Sequence, residues 1–385
     1  MVLAIGSGVL AAAAIGKVPP VLELLRQEYS LSLVYAGWIV SIFSALGLIT
    51  GASFGTLADR LGSRRVLLAG LWALVVAGLM GVLASTSLAL LLTRLVEGAG
   101  FLAVAVGAPG VIVSASAPQD RPWSLGLWSV YVPAGISLAM VTATLTLDRL
   151  GWRGLWIFFA VLAGALALLG QRLLPRDIPL PSHKPLGGNL TAVLSRPGPW
   201  LLATSFTAYT LMWIPVMTWL PTYLIDQRGM PVEIASLLTA TVVAANIPGN
   251  LLGTWLLRWR WLGGTISTLA GLIMGLSAWV VFDRHFSDSV RYACCLIFSC
   301  AGGMLPAAVL GTSRVHAPDP QRIGTVNGII IQGSHLGQFS GPPMVAALVT
   351  MQGNWESIQG YMIGCALVAM ALSWMLRRIE HRSLS

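Results

Sequence analysis

Charged side chains are scarce in this sequence of 385 residues, because Asp, Glu, Lys and Arg together make up only 10% of it. An ordinary soluble domain carries about 25%. Hydrophobic residues account for 56%, which is more apolar side chain than one water-soluble core buries. The composition therefore excludes an ordinary soluble protein and predicts an all-α membrane protein, since helices satisfy their own backbone hydrogen bonds in lipid.

Residue patterns that hold metals or perform catalysis are also missing. Four cysteines are scattered through apolar runs and match no metal-ligand or disulfide pattern. There is no phosphate-binding loop of the Walker type, and no histidine cluster, nucleophile elbow or pair of carboxylates lies within one region. We therefore predict no enzyme activity, no catalytic residue, no metal and no cofactor. Transport work would draw on a gradient of protons or another ion.

Apolar runs long enough to cross a bilayer recur along the whole chain. Crossing roughly 30 Å of hydrocarbon takes about 20 residues at about 1.5 Å per residue. No basic segment precedes the first run, which argues against a cleaved signal peptide. Twelve runs predict twelve transmembrane helices, at residues 2–25, 32–58, 66–85, 87–112, 122–147, 153–174, 199–225, 231–257, 262–282, 289–312, 323–349 and 355–376.

Positive charge in the short connections sets the orientation of these runs, because Lys and Arg are retained on the cytoplasmic side. With both termini inside, fifteen of these residues fall on the cytoplasmic side and six on the outer side. Lys17 and Arg94 are the remaining two and lie inside predicted helices. We therefore predict a multi-pass protein of a bacterial inner membrane with both termini cytoplasmic. The net charge of +9 reflects this topology, so no nucleic-acid partner is expected.

One connection gathers four charges between two long apolar runs, at residues 55–65, GTLADRLGSRR. Two glycines permit a tight turn and close helix approach, and the aspartate suits the positive end of a neighbouring helix. The alternative is a basic loop that only fixes topology, which would need neither the glycines nor the acid. The pattern consists of Gly55, Asp59, Arg60, Gly62, Arg64 and Arg65.

This connection between the second and third runs resembles the signature loop of the major facilitator superfamily. The resemblance implies twelve transmembrane helices in two six-helix, pseudo-symmetric bundles, a monomer, and transport of a small-molecule substrate across the lipid bilayer. It also implies that the loop is a conformational latch on the cytoplasmic side. Four further features are a short first run, the spacing R-x-x-x-G-x-G at 94–100, WLPTYL at 219–224 and GPP at 341–343. In these features the sequence is similar to the branch that includes cyanate and related small-anion permeases.

An internal repeat supports two halves of six helices each. GTLADR at 55–60 recurs as GTWLLR at 253–258, and APQDR at 117–121 is echoed by APDPQR at 317–322, so the offsets are 198 and 200 residues. We predict an N-terminal bundle at 1–174, a cytoplasmic linker at 175–198 and a C-terminal bundle at 199–385. Leu257 stands where Asp59 would be, so the first copy is the expected latch.

Three ionisable residues lie at membrane depth in the predicted helices one and four, which line a central cavity in the resembled family. Lys17 lies roughly 13 Å below the outer end of its run, and Arg94 and Glu97 lie about 10 and 15 Å deep in theirs. Charge at this depth is costly and is paired, functional or both. One interpretation is an anion site in which Lys17 and Arg94 bind substrate and Glu97 couples a proton. The other is a structural ion pair between the two helices.

Polar and aromatic residues in the other runs complete the candidate substrate-binding set. Several share a helix face with a neighbour three or four residues away, and the same spacing is also typical of ordinary helix packing or helix-joining hydrogen bonds. His316 is expected in a loop without a role, which leaves one histidine inside a run. The additional candidates are Tyr131, Tyr209, Trp213, Asn246, Gln332 and His335.

The combined sequence features predict a secondary active transporter that moves a small anionic or carboxylate-bearing solute by alternating access, coupled to protons as a symporter. The fifth run lacks the Gly-Pro-x-x-Gly-Gly pattern of the drug/proton antiporter branches. Two alternatives stay open: an exporter of amphipathic or hydrophobic compounds, and a membrane sensor on the same scaffold that transports nothing.

Overall fold

The computed structural model describes residues 1–51, 61–117, 119–174, 192–318 and 322–384, and this part of the chain is helical with no β-strand. Two short 3₁₀ segments, Pro19–Val21 and Ile42–Ser44, interrupt the α-helices. The α-helices, numbered in chain order, are α1 Val2–Gly16, α2 Leu22–Glu28, α3 Leu33–Ser41, α4 Ser63–Val82, α5 Ser87–Ser114, α6 Arg121–Trp128, α7 Tyr131–Leu173, α8 Pro197–Arg228, α9 Val232–Ala244, α10 Asn246–Arg258, α11 Gly263–Val281, α12 Asp288–His316, α13 Ile323–Gln352 and α14 Ile358–Leu384.

Ten helical segments among the described residues are long and apolar enough to cross a membrane. One of them, α7, has 43 residues and is broken at Gly151, where φ 60° and ψ 179° are not helical, so it supplies two of the predicted runs. α13 has 30 residues but is less apolar, since it carries Asn327, Gln332 and His335. These two differences account for the twelve predicted runs, and the predicted all-α membrane fold is confirmed.

Contacts divide the chain into two compact units. Unit one comprises Met1–Gly47, Ser53–His183 and Met217–Ala244, and unit two comprises Leu48–Ala52, Lys184–Val216 and Ala245–Ser385. In unit one, α1 and α9 both pack against α7, and α4 packs against α5. In unit two, α11 packs against α12 and α14. The bundle boundaries predicted from the repeat stay a prediction.

The first transmembrane run is broken beside Lys17, as its two prolines predict. α1 ends at Gly16, and the 3₁₀ segment Pro19–Val21 leads into α2. The Val18 N–H bonds to the carbonyl of Ile15 at 3.4 Å, so it does not continue the α-helical pattern to Ala14. The carbonyl of Ala14 is thereby available to a side chain from another helix.

A glycine on α5 brings this helix against the 3₁₀ segment Ile42–Ser44 in unit one. A Cβ atom at Gly98 would overlap the backbone carbonyl of Phe43. Small residues allow this kind of backbone approach between membrane helices. Because Gly98 follows Glu97 directly, this contact also sets the position of α5 where its charged residues lie.

We expect Gly98→Ala to lower the free energy of unfolding by about 1–3 kcal/mol, because backbone must move to accept the methyl group. Thermal unfolding of the purified protein in detergent measures the change. Gly6→Ala in α1 is the matched control, since a Cβ atom there meets nothing within 4 Å. Equal midpoints for the two variants would contradict the close approach.

Candidate functional site

The three ionisable residues predicted at membrane depth meet in unit one. Lys17 Nζ lies 2.5 Å from Glu97 Oε1, and Arg94 Nη1 pairs with the second carboxylate oxygen, Glu97 Oε2. The exposed fractions of the three residues are 2%, 0% and 1% for Lys17, Arg94 and Glu97. We call these three residues the charge cluster. A single carboxylate therefore bridges two cations, one at the break after α1 and one on α5.

Arg94 has further partners in the backbone. Its Nη1 donates to the carbonyl of Ala14 at 2.9 Å, the group available at the break of the first run. Its Nε donates to the carbonyl of Ile39 at 3.3 Å. Its Nη2 is buried and has no hydrogen-bond partner within the described ranges. The guanidinium thus ties α5 to two neighbouring segments and keeps one nitrogen unused.

Two aromatic rings cover the cations of the charge cluster. Lys17 Nζ lies 4.1 Å from the ring centroid of Trp156 on α7, and Arg94 Cζ lies 4.8 Å from that of Phe43. Cations at such distances are attracted to the negative face of the ring, by up to about 2 kcal/mol when desolvated. The sequence reasoning missed both rings, because an aromatic residue in an apolar run carries no sign of the direction in which it points.

The charge cluster contains two cations and one carboxylate, so it holds one uncompensated positive charge in a sealed, apolar surrounding. Burying a charge is tolerated when it is paired or has a function. The geometry is compatible with both interpretations of the sequence. The ion pairs join the first and fourth predicted helices as a structural pair would, and the excess cation and unused Arg94 Nη2 leave capacity for an anion.

An aromatic row in unit one includes the candidate Tyr131. The ring centroids of Phe43 and Phe101 are 5.2 Å apart, and those of Phe101 and Tyr131 are 6.2 Å apart. Tyr131 in turn stacks on Trp128 at 4.0 Å. Phe43 and Phe101 are buried, whereas Tyr131 and Trp128 are partly exposed. In the described part of the chain, no group hydrogen-bonds to the Tyr131 hydroxyl.

The candidates Tyr209, Trp213 and Asn246 form one buried network in unit two. Asn246 Nδ2 donates to the Tyr209 hydroxyl at 3.2 Å and to the carbonyl of Ser299 at 2.9 Å. Trp213 Nε1 donates to the Ser299 hydroxyl at 3.0 Å, and Asn250 Nδ2 donates to Asn246 Oδ1 at 2.8 Å. These groups satisfy one another across α8, α10 and α12, as helix-joining residues do.

Gln332 and His335 have different surroundings although both lie on α13. Gln332 Nε2 donates to the carbonyls of Leu48 at 3.2 Å and Ile49 at 3.3 Å, which belong to unit two. His335 is buried, and its Nδ1 has no hydrogen-bond partner among the described residues. Of the two, His335 keeps an unused polar atom.

The predicted latch is only partly within the described residues. Gly55, Asp59 and Arg60 lie outside them. Gly62 precedes α4 with φ 95°, in the region that favours glycine. Arg64 Nη2 donates to the carbonyl of Gln171 at the end of α7, at 2.7 Å, which ties the start of α4 to that helix. Arg65 is exposed. The latch role stays a prediction.

The expectation that His316 lies in a loop is wrong. It is the last residue of α12, is buried, and its Nε2 lies 3.4 Å from Glu380 Oε1 on α14. The second oxygen of Glu380 accepts the Gly264 N–H at the start of α11, at 2.9 Å. α12 continues four residues past the predicted apolar run, so His316 lies in a helix although it is outside that run.

The family of the chain follows from a match between its sequence and a family model. The model of the Major Facilitator Superfamily matches residues 4–342. The chain belongs to the major facilitator superfamily. It is therefore a multi-pass membrane transporter by family, and the predicted membership of this family is confirmed.

Named relatives of this major facilitator superfamily chain cover most of its length. The 3-(3-hydroxy-phenyl)propionate transporter of Escherichia coli is 26% identical over 355 residues, 84% of this chain and 83% of that protein. The probable nitrate/nitrite antiporter NarK1 of Thermus thermophilus is 26% identical over 389 residues, 91% and 84% of the two chains. A bacterial homolog of the human lysosomal transporter Spinster has a TM-score of 0.80 at 16% identity, covering 99% and 97%, and shows the shared fold.

We expect Glu97→Gln to lower the free energy of unfolding of this transporter by about 3–5 kcal/mol, because it leaves two buried cations without a carboxylate. Lys17→Met is the matched variant and should be close to neutral, since the remaining Arg94–Glu97 pair is balanced. The midpoints of thermal unfolding in detergent compare the stabilities of the two variants. A Lys17→Met variant as unstable as Glu97→Gln would contradict the excess-charge description.

Proposed function

We propose that this chain is a secondary active transporter that carries a small organic or inorganic anion across the bacterial inner membrane by alternating access, in symport with a proton. The observation that carries the proposal is the charge cluster, in which Lys17 and Arg94 share one carboxylate and leave one positive charge uncompensated. A buried cation without a counter-charge favours an anionic ligand.

Glu97 is the group that couples the proton in this proposal. Each of its oxygens holds one cation, so an incoming anion competes with Glu97 for Lys17 and Arg94. Protonation of Glu97 removes its negative charge and weakens both ion pairs, which frees the cations for the anion. The cluster then carries the same net charge when it is empty and when it holds a proton and a monovalent anion.

Outside the charge cluster, the candidate residues differ in whether their polar atoms already have hydrogen-bond partners, and this difference selects among them. Tyr131 has an unpartnered hydroxyl within the described ranges, and His335 has an unpartnered Nδ1. Tyr209, Trp213 and Asn246 already satisfy one another, and Gln332 bonds to backbone. We therefore assign substrate binding in unit one to Lys17, Arg94 and Tyr131, keep His335 as a separate candidate in unit two, and assign a helix-joining role to the other four.

The names of two relatives support an anionic substrate. One transports 3-(3-hydroxy-phenyl)propionate, a carboxylate, and the other is a probable nitrate/nitrite antiporter. These relatives differ in whether the anion is organic or inorganic, so both kinds belong in a first screen. The latch at residues 55–65, the cytoplasmic termini and a monomeric state complete the proposed transporter.

The decisive test is uptake into proteoliposomes with an acidic outside, using 3-phenylpropionate, benzoate and nitrate as probes. We expect at least one probe to accumulate against its gradient to a level above that in protein-free vesicles, which weak acids enter in their neutral form, and we expect this excess to collapse when a protonophore removes the pH difference. Accumulation that requires an opposing anion inside the vesicles, and no pH difference, would replace symport by exchange.

Lys17→Met and Glu97→Gln separate the roles within the charge cluster. Lys17→Met should lower the uptake rate at least about tenfold with normal protein abundance, because it removes the excess cation. Glu97→Gln, assayed on the fraction that folds, should keep exchange of the probe but lose pH-driven accumulation. Glu233→Gln on α9 is the matched control for loss of an acid.

Each alternative function has its own outcome in the same assay. Unchanged uptake by Lys17→Met would leave the charge cluster as a structural pair. Export of a broad range of amphipathic or hydrophobic compounds, by the wild-type protein and by Lys17→Met alike, would favour the efflux alternative. If the wild-type protein gives no flux of any probe and Glu97→Gln gives the same result, the sensor alternative is favoured.

A further inference from the structure

The second copy of the repeated loop ends in a run of exposed arginines and tryptophans. Residues 255–261 read WLLRWRW, at the end of α10. Trp255, Trp259 and Trp261 are 51%, 67% and 46% exposed. Arg258 and Arg260 are exposed as well, and no carboxylate in the described part of the chain pairs with either of them.

The backbone fixes how this segment leaves the helix. Arg260 has φ 60°, in the left-handed region, and its N–H bonds to the carbonyl of Leu257 at 3.0 Å. The Trp261 N–H bonds back to the carbonyl of Leu256 at 3.2 Å. This is the hydrogen-bond pattern that closes a helix and is usually formed with glycine. It holds the arginines and tryptophans at the helix end in one arrangement.

The end of α14 adds further residues of the same kind in unit two. The start of α11 packs on α14 so closely that a Cβ atom at Gly264 would overlap backbone of Arg377. Arg377 and Arg378 are exposed, and Arg378 Cζ lies 3.5 Å from the ring centroid of Trp374. Trp374 is 45% exposed.

The carboxylate nearest in sequence to these α14 arginines is Glu380, which points into the protein. It is buried, accepts the Gly264 N–H, and lies 3.4 Å from His316. In the first copy of the loop the chain has Asp59, whereas the second copy has Leu257 at that position. The second loop therefore has no acid at this position and has tryptophans beside its arginines.

We propose that this surface binds the headgroups of anionic phospholipids in the membrane that the transporter spans. The surface consists of Arg258, Arg260, Arg377 and Arg378 with Trp255, Trp259, Trp261 and Trp374. Exposed arginines attract anionic headgroups. Tryptophan is enriched at the level of the headgroups because its ring is apolar and its N–H is polar. The prediction that α10 ends on the cytoplasmic side places the surface on that leaflet.

The test measures thermal unfolding of the full-length protein in detergent as dioctanoyl phosphatidylglycerol is added. We expect the anionic lipid to raise the midpoint, and dioctanoyl phosphatidylcholine or inorganic phosphate to leave it unchanged. In the double variant Arg258→Gln/Arg260→Gln, the lipid concentration at half effect should rise about 30-fold, which corresponds to about fivefold for each arginine.

A matched double variant tests whether the response to the lipid comes from this defined surface or from positive charge in general. Arg172→Gln/Arg196→Gln removes the same charge at two exposed positions elsewhere and should respond to the lipid as wild type does. Arg258→Lys/Arg260→Lys should keep most of the response. Equal losses in the two glutamine variants, an equal shift with inorganic phosphate, or no shift in the wild-type protein would each overturn the proposal.

Discussion

The bridging carboxylate of Glu97 is the interaction on which the interior of unit one depends. It is the group that pairs with both Lys17 and Arg94, and without it two cations would face each other in a medium of low dielectric. Trp156 and Phe43 cover the cations but carry no formal charge, so they reduce the cost of burial without balancing it. The residual positive charge is the property that separates this cluster from an ordinary buried ion pair.

The cluster exists because the backbone around it departs from regular helix. The prolines after Lys17 end α1 and make the Ala14 carbonyl available to Arg94. Gly98 lets α5 approach the 3₁₀ segment that carries Phe43. Each departure costs some helical hydrogen bonding or helix propensity. Together they bring the Arg94 guanidinium into contact with two backbone carbonyls. Local irregularity and charge burial are therefore two parts of one arrangement.

The sequence predicts the parts of this structure that depend on periodicity and length. The helical class, the break beside Lys17 and the common depth of Lys17, Arg94 and Glu97 all follow from rise per residue and proline chemistry. Bridging by Glu97 could not be predicted, because it depends on how each helix is rotated about its axis. His316 was misplaced for a related reason: helices continue past the hydrocarbon region, so the end of an apolar run does not mark the end of a helix.

The candidate residues of the two units differ in how their polar groups are satisfied in an apolar interior. In unit two, Asn246 connects Tyr209 and Ser299 through neutral hydrogen bonds, which cost little to bury once they are made. In unit one, the polar interior is ionic and unbalanced. A neutral network responds little to the arrival of a proton or an anion, whereas an unbalanced ionic cluster changes its internal contacts with either.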